Sequence, residues 1–397
     1  MVINIANFNF GGDGGGGGKP ALLQEKTATI VQNGSQTITP DEGFDGMSSV
    51  QINAAITGDS SAIDFSSIGY DAEFSAELNA KWNNDVAYSK SLYDSWNPSN
   101  TSANNLYSGD TKLVYAPNID TSNVTDMYRM FFGCKSLQIV PFINTSNVNR
   151  MDYMFSACLN IKTVPLFDTR NVNSMNNMFQ NCSGLTSVPL FDTRNVENMS
   201  GMFWYCSNLK TVPLFDISKL TSMNSMFYGC SSLKTVPAFN TSNIKSMYNM
   251  FAICKSLTSV PEMDTSNVNN FDGMFYSCNS LTTIEGISFK SFSASTMSQY
   301  YLCGFSFNYS IRKAVFKDIG YQSNAVQFNT SYISNWGVNT SEIPDARQSL
   351  IDSLITYSFD RASAGYPTCT ISLSSNTKAL LTEDEKAQIE AKGFTIA

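Results

Sequence analysis

Cysteine is the residue type of this chain whose regular spacing most directly suggests a reactive or metal-binding site. Thiols at regular spacing can ligate metals, form disulfides or act as nucleophiles. The chain has no histidine and no C-x-x-C pair, so zinc sites with histidine ligands and His-centred acid–base catalysis are excluded. We predict a structural ladder of small, buried residues with free thiols. Its members recur every 24 residues: Cys134, Cys158, Cys182, Cys206, Cys230, Cys254 and Cys278.

An acidic or amide residue also recurs once in every copy of this period. A column of carboxylates could hold calcium, but two of its seven members are Asn and no second acidic column accompanies it. Turn capping explains Asp and Asn in this place without a metal. We predict no metal and no cofactor. The column comprises Asp120, Asn144, Asp168, Asp192, Asp216, Asn240 and Asp264.

A glycine-rich stretch near the N-terminus invites comparison with a phosphate-binding loop. Such a loop needs Ser or Thr directly after its lysine and a helix beyond it. Pro20 follows Lys19 instead, so we predict that residues 1–21 form a flexible Gly-rich arm. With no catalytic constellation in view, we expect no enzyme activity.

Aromatic residues occupy positions at which the copies of the 24-residue unit differ. Exposed aromatic side chains on a rigid repeat scaffold suit recognition of a protein or a glycan. The alternative is that several of them only stack between neighbouring copies. The candidate binding residues are Tyr128, Phe132, Tyr153, Trp204, Tyr205, Tyr228, Tyr248 and Tyr276.

The element that must position these side chains is the repeat itself, written seven times between Ile119 and Ile284. Apolar residues from Val124 to Cys134 follow helical spacing and predict the inward stripe of a short helix. Leu137-x-x-Val140 predicts a short strand that pairs in parallel one repeat away, with Pro141 at its end. A fixed period of this length predicts an α/β solenoid with a narrow parallel β-sheet.

The unit "DTSNVxxMxxMFxxCxxL" resembles the BspA-like bacterial surface leucine-rich repeat in all seven copies. This resemblance covers residues 118–287 and implies a leucine-rich-repeat-like stack. It also implies a role in adhesion or surface recognition, because family members are mostly of that kind.

The flanking segments are predicted from weaker signals. Residues 22–58 predict a small β module, with a hairpin around Asn33-Gly34 and a third strand over residues 49–53. The sequence of this module resembles structural proteins of tailed phages of gut bacteria. Within the linker 59–117, the apolar stripe over 70–96 predicts a helix that either caps the stack or joins copies in a homo-oligomer.

Residues 288–397 are predicted to form a degenerate repeat followed by a C-terminal α/β cap. Within the cap we predict a helix over 346–357, a strand that begins at Cys369, a helix that starts at Thr382 and a final strand from Gly393.

Charge and hydropathy limit the possible partners. The net charge of −8 arises before residue 118, and the repeat block is balanced. We therefore expect no nucleic-acid binding. No apolar stretch reaches the length of a membrane helix, and the first residues lack the features of a signal peptide, so we expect no membrane insertion and synthesis in the cytoplasm.

Three hypotheses follow for function. The first is a phage virion component, in the capsid or tail, held to other virion proteins by residues 1–58. It would display the solenoid on the virion surface to a host protein or glycan. The second is a BspA-like adhesin on a bacterial cell surface. The third, an enzyme, has the least support from the residues present.

Overall fold

The computed structural model describes residues 2–5, 26–33, 35–40, 88–89, 91–114, 116–117, 119–138, 140, 143–291, 310–319, 328–329 and 333–397. The chain divides into two compact units. Unit 1 comprises Met1–Arg150, Met154–Asn171 and Cys182–Phe191, and unit 2 comprises Met151–Tyr153, Val172–Asn181 and Asp192–Ala397. The division lies inside the predicted repeat block, away from the boundaries expected at residues 21, 58, 117 and 287.

Each repeat is built from successive turns that alternate with bonds to the next repeat. In unit 1 the N–H of Cys134 donates to the carbonyl of Phe131 at 3.1 Å, which closes a turn. The N–H of Phe131 instead donates to Met154 in the next repeat at 2.9 Å. Unit 2 repeats this alternation, with Phe203 donating to Met226 at 3.0 Å and Cys206 donating to Phe203 at 3.0 Å. Alternate N–H groups therefore close turns and join repeats.

Two positions of every repeat have a left-handed backbone. A right-handed helix contains no residue with positive φ, so the predicted short helix from Val124 to Cys134 is wrong. The apolar stripe is real, but turns place it. The first left-handed column is Asn105, Arg129, Tyr153, Asn177, Gly201, Ser225, Asn249 and Gly273, and the second is Gly109, Gly133, Ala157, Asn181, Tyr205, Gly229, Ile253 and Ser277.

The repeats pair in parallel, as predicted, but mostly at another place. Isolated parallel bridges join Asp126 to Arg150 in unit 1 and Ser222 to Ser246 in unit 2, just before the first Met of each repeat. Over the predicted strand Leu137–Val140 the described residues form no strand. At the equivalent place, Ser259 and Thr283 form one such bridge.

Stacked phenylalanines fill the interior. In unit 1 the rings of Phe131 and Phe155 lie 5.4 Å apart and nearly parallel. In unit 2 the ring of Phe203 lies 5.8 Å from that of Phe227. All four side chains are buried, and full burial of one such side chain stabilises the fold by roughly 1.5–3 kcal/mol.

The described residues between 96 and 119 form an additional, degenerate repeat at the beginning of the described stack in unit 1, mostly within the segment predicted as linker. Tyr107 occupies the phenylalanine position, with its ring 5.5 Å from that of Phe131 and its N–H donating to Met130 at 2.9 Å. Trp96 Nε1 donates to the carbonyl of Asp120 at 2.6 Å. Of the predicted 70–96 helix, only 88–89 and 91–95 are described as helical, and the rest up to residue 87 lies outside the described residues.

The N-terminal strands correct part of the domain prediction. Strands β1 (Val2–Ile5), β2 (Lys26–Asn33) and β3 (Ser35–Pro40) form one antiparallel sheet in the order β1-β2-β3. The β2–β3 pair is the predicted hairpin around Asn33-Gly34. However, β1 lies within residues 1–21, so the prediction of a flexible arm is wrong over Val2–Ile5. The third strand predicted over residues 49–53 lies outside the described residues.

The described residues of the C-terminal region form two small parallel sheets. In the first, strand β4 (Thr283–Ser288) pairs with β5 (Lys313–Lys317). The second comprises β6 (Phe328–Asn329), β7 (Cys369–Ser372) and β8 (Phe394–Ile396), and β7 pairs with both of the others.

Three short helices occur among the residues described here: α1 (Ala346–Ile351), α2 (Ser375–Lys378) and α3 (Glu383–Ala391). A π-helical turn, Asp352–Thr356, continues α1 over the segment predicted as one helix. Thr382 forms a capping box with Glu385 at the predicted helix start. Within the described part of the chain, no helix has the length and apolarity to cross a bilayer.

Tyr107 provides a test of the phenylalanine stack. Its hydroxyl is buried and has no hydrogen-bond partner among the described residues. Tyr107→Phe should therefore raise the free energy of unfolding by about 1 kcal/mol, because an unsatisfied buried hydroxyl is removed. Urea unfolding measures this change. The reverse substitution, Phe131→Tyr, adds a hydroxyl to the buried stack and should lower the free energy of unfolding. If Phe131→Tyr raised the free energy of unfolding instead, the packing assigned to these stacked rings would be contradicted.

Candidate functional site

The cysteine ladder is a set of hydrogen-bond donors to backbone carbonyls. In unit 1 Cys158 Sγ donates to the carbonyl of Phe131 at 3.0 Å, and in unit 2 Cys230 Sγ donates to that of Phe203 at 3.1 Å. All the described cysteines are free and buried. Burial raises the pKa of the Cys134 and Cys278 thiols to about 12. Thiols that remain protonated at neutral pH are poor nucleophiles, so the ladder is structural.

The Asp/Asn column caps turns, and the residues that follow it join repeats. Asp120 Oδ1 accepts the N–H of Ser122 at 2.9 Å, and hydrogen bonds from Ser122 hold the pKa of Asp120 below its usual value. Thr145 Oγ1 donates to the carbonyl of Asp168 at 2.9 Å, and Asn147 Nδ2 donates back to Ser122 at 2.7 Å. Among the described residues, no group of three or more Cys, Asp or Glu side chains is placed to hold a metal.

Three of the predicted binding residues form an aromatic cluster in unit 2, which we define as Trp204, Tyr205 and Tyr228. The Tyr205 and Tyr228 ring centroids lie 5.2 Å apart, and that of Trp204 lies 5.4 Å from Tyr205 and 5.9 Å from Tyr228. Tyr205 is 41% exposed, while Trp204 and Tyr228 are half-buried. The cluster therefore combines both interpretations offered for these aromatics, because its rings pack together and still reach solvent.

Tyr205 occupies the least expected backbone position in the cluster. Its φ of 56° lies in the left-handed region, where a residue with a side chain costs roughly 1–2 kcal/mol relative to its usual conformation. The next repeat has Gly229 at this position, and a Cβ built there would lie 2.7 Å from Tyr205 Cδ1. Gly229 thus leaves the space that the Tyr205 ring covers. A costly conformation at an exposed aromatic residue is a reason to look for function there.

Two further predicted tyrosines of unit 2 lie within electrostatic reach of the cluster. The pKa of Tyr228 is raised, first by burial, then by a hydrogen bond with Tyr205, and also by the neighbouring Tyr276 and Tyr248. Tyr248 is 41% exposed and Tyr276 is half-buried. Tyr228 therefore remains a neutral phenol that can donate a hydrogen bond.

The remaining predicted binding residues lie in other surroundings. In unit 1 the guanidinium of Arg150 lies 4.1 Å from the ring centroid of Tyr128, and that of Arg129 lies 4.9 Å from the centroid of Phe132. Cations therefore lie against both aromatic rings, an arrangement that sequence spacing alone does not predict. Tyr153, in unit 2, is half-buried with a left-handed φ of 55°.

An open cavity of about 560 Å³ in unit 2 is a second place where a ligand could bind. Its polar groups largely satisfy one another. Lys317 Nζ donates to Glu262 at 2.8 Å, and Ser288 donates to Asp318. The cavity therefore presents few unused groups, and the aromatic cluster is the stronger candidate site.

Comparison with known proteins identifies the family. The family described as "Mycoplasma protein of unknown function, DUF285" matches residues 78–214 and 206–314, which is more than half of the chain. The chain belongs to the DUF285 family. No curated protein matches it.

A similar solved structure is that of a leucine-rich repeat protein from Bacteroides ovatus ATCC 8483. It is 19% identical to this DUF285 chain, the match covers 57% of this chain and 76% of that one, and the TM-score is 0.25. The resemblance of residues 22–58 to phage structural proteins has no support in these comparisons.

The left-handed conformation of Tyr205 gives a prediction with a definite sign. Tyr205→Gly should be more stable than Tyr205→Ala by about 1 kcal/mol, because only glycine adopts this conformation freely. Urea unfolding of both variants measures the difference. Tyr248, which is equally exposed and has no positive φ, is the matched control, and there the alanine variant should be at least as stable as the glycine variant. If Tyr205→Ala were also at least as stable as Tyr205→Gly, the left-handed conformation assigned to residue 205 would be contradicted.

The thiol ladder predicts a stability that falls in alkali. A raised pKa means that the folded DUF285 chain holds the thiol proton more tightly than the unfolded chain does. Its contribution is therefore complete below the unfolded pKa of about 8.5 and is lost as the pH rises toward about 12 for Cys278. Within this window each such thiol adds a slope of about 1.4 kcal/mol per pH unit.

Cys278→Ala isolates one thiol from the other groups that titrate in alkali. The variant loses the bond to Phe251, so it should be less stable at neutral pH, and its stability should fall less steeply with pH. Urea unfolding at a series of pH values above 8 measures both slopes. Identical slopes would show that this thiol ionises as freely in the folded chain as in the unfolded one.

Proposed function

We propose that this chain is a non-enzymatic recognition protein of a bacterial cell surface, in which the aromatic cluster contacts a partner surface. The observation that carries the proposal is Tyr205, which is exposed and held in a costly left-handed conformation beside Trp204 and Tyr228. Tyrosine and tryptophan are enriched at the centres of binding surfaces because they combine a large apolar face with a polar group.

The scaffold in this proposal is the leucine-rich-repeat-like stack of seven 24-residue repeats predicted from the sequence. Bonds between repeats recur at fixed positions in both units, from backbone, Thr, Asn and Cys donors. Such a scaffold holds side chains in fixed places, which lowers the entropy lost when a partner binds. The inward residues are occupied by packing, so recognition belongs to the outer positions.

The absence of catalysis is part of the proposal, and two properties of the described residues support it. The ladder thiols are buried and protonated, and the carboxylates of the Asp column are engaged in capping, as at Asp264 and Ser266. Partners for residues 1–58 and an oligomer contact through residues 70–96 remain predictions, since most of these residues lie outside the described part of the chain.

The location of the chain is tested in the organism that encodes it. Immunogold electron microscopy and protease treatment of intact cells should detect the chain on the outer surface, with a cytosolic enzyme as the protected control. Detection only in virus particles would contradict the proposal and favour the virion component. Detection only in the cytosol would contradict both.

Recognition is tested with beads that carry the purified chain and bind cultured epithelial cells. The double variant Trp204→Ala, Tyr205→Ala should reduce attachment roughly tenfold or more. Tyr357→Ala is the matched control, because Tyr357 is 45% exposed in the same unit and outside the cluster. Unchanged attachment of the folded double variant would show that recognition lies elsewhere.

A further inference from the structure

We propose that the ligand of the aromatic cluster is an uncharged glycan chain. This inference rests on the proposed function and names the chemical class of its partner. Three properties of the surface in unit 2 carry it: the absence of basic residues among the outer positions, the placement of the Tyr205 ring over a glycine, and amide groups whose oxygens are already engaged.

The first property is charge. From Asn176 to Ser277, the outer positions, meaning those equivalent to Tyr128, Arg129, Phe132 and Gly133 in the first repeat, contain no Lys or Arg. The one charged residue among them is Asp272. Sulfated or carboxylated glycans are recognised largely through arginine and lysine, so these positions do not suit them. The exposed Lys245 and Lys255 of the same repeats lie outside these columns. An uncharged ligand needs no basic residue to compensate for the loss of its hydration when it binds here.

The second property is the shape that Tyr205 and Gly229 make together. Carbons Cγ, Cδ1 and Cε1 of Tyr205 lie 3.1, 2.7 and 3.0 Å from the place where a Cβ of Gly229 would be. The ring therefore covers the backbone of the next repeat, yet the residue is 41% exposed. An aromatic face supported from beneath is a platform on which the C–H groups of a sugar ring can pack, and the phenol at its edge can bond a sugar hydroxyl.

The third property is the orientation of the nearby amides. Asn224 Oδ1 accepts hydrogen bonds from Ser246 Oγ at 2.6 Å and from the N–H of Tyr248 at 2.9 Å. Because the oxygen is engaged and the side chain is half-buried, its NH₂ group supplies the remaining donors. Fixed amide donors beside aromatic faces suit a ligand rich in hydroxyl groups.

The repeat geometry adds an expectation about length. Neighbouring repeats are joined by backbone hydrogen bonds such as Tyr205 N–H to Tyr228 O at 2.6 Å, which sets a spacing of about 4.8 Å. A linear glycan advances by a similar distance for each sugar. Aromatic residues from Trp204 to Tyr276 occupy several repeats, so a chain of several sugars can contact more than one of them.

The experiment uses a printed glycan array, followed by calorimetry of the full chain with soluble oligosaccharides of increasing length from the best-bound series. We expect binding to neutral linear glycans, with affinity that rises with length. Tyr205→Ala should weaken it roughly tenfold or more. Tyr357→Ala, which removes an exposed aromatic residue of the same unit outside this surface, should leave affinity within about twofold. Circular dichroism verifies that each variant is folded.

Three outcomes would overturn the inference. One is an array on which no neutral glycan binds, and another is binding confined to sulfated or acidic glycans. The last is neutral-glycan binding that Tyr205→Ala and Trp204→Ala leave unchanged in folded protein.

Treatment of the cells separates this inference from the proposed function. If periodate oxidation of cell-surface sugars abolishes bead attachment, the glycan is supported. If attachment survives periodate, disappears after protease treatment and still depends on Trp204 and Tyr205, the ligand is a protein. The proposed function then stands while this inference fails. If attachment does not depend on the aromatic cluster, both the proposed function and the glycan inference are contradicted.

Discussion

The structure of the repeat depends on one backbone arrangement, in which alternate N–H groups point along the chain and toward the next copy. Met130, for example, donates within its own repeat to Met127, whereas Phe131 donates to Met154. This alternation requires residues with positive φ between the turns, and Arg129 and Gly133 have that conformation in the first repeat. A helix would have used the same N–H groups within one segment, leaving neighbouring repeats to be joined by side chains alone.

The polar residues that first suggest chemistry complete this arrangement. Cysteine suits its place because its side chain is small enough for a buried column and still has a donor for a carbonyl, as Cys182 does for Phe155 at 2.9 Å. Threonine is buried in its column and its hydroxyl donates to the next repeat, as Thr241 does to the carbonyl of Asp264 at 2.8 Å. Lys219 stands where other repeats have an Asn that donates to the preceding repeat. The Nζ of Lys219 also donates to the preceding repeat, to Asn195 Oδ1 at 2.8 Å. Each of these columns therefore supplies hydrogen bonds that join one repeat to its neighbour.

The sequence was sufficient to predict the period, the inward residues and several elements of the C-terminal region, including the helix that begins after Thr382 and the strand at Cys369. It was insufficient to choose between helix and turns, because an apolar stripe at three- and four-residue spacing arises from both. The extra repeat over 96–119 escaped notice for a similar reason. Asp110 replaces the cysteine there and Tyr107 replaces the phenylalanine, so the motif is lost although the backbone is retained. The aromatic positions could be predicted, whereas their left-handed backbone and their contacts could not.

The surface of unit 2 shows how neighbouring copies depend on one another. A larger side chain in a left-handed column lies over a glycine in the same column of the next copy: Tyr205 over Gly229, Asn177 over Gly201 and Asn249 over Gly273. The glycine has positive φ in each case, so it fits the backbone and leaves space at the same time. A binding residue on such a surface is therefore specified by two repeats, since its own copy provides the ring and the next provides the place where it lies. It follows that an unusual side chain in one repeat requires a matching small residue in the next repeat. Exchanging one repeat alone would therefore disturb the side chain contributed by the repeat before it.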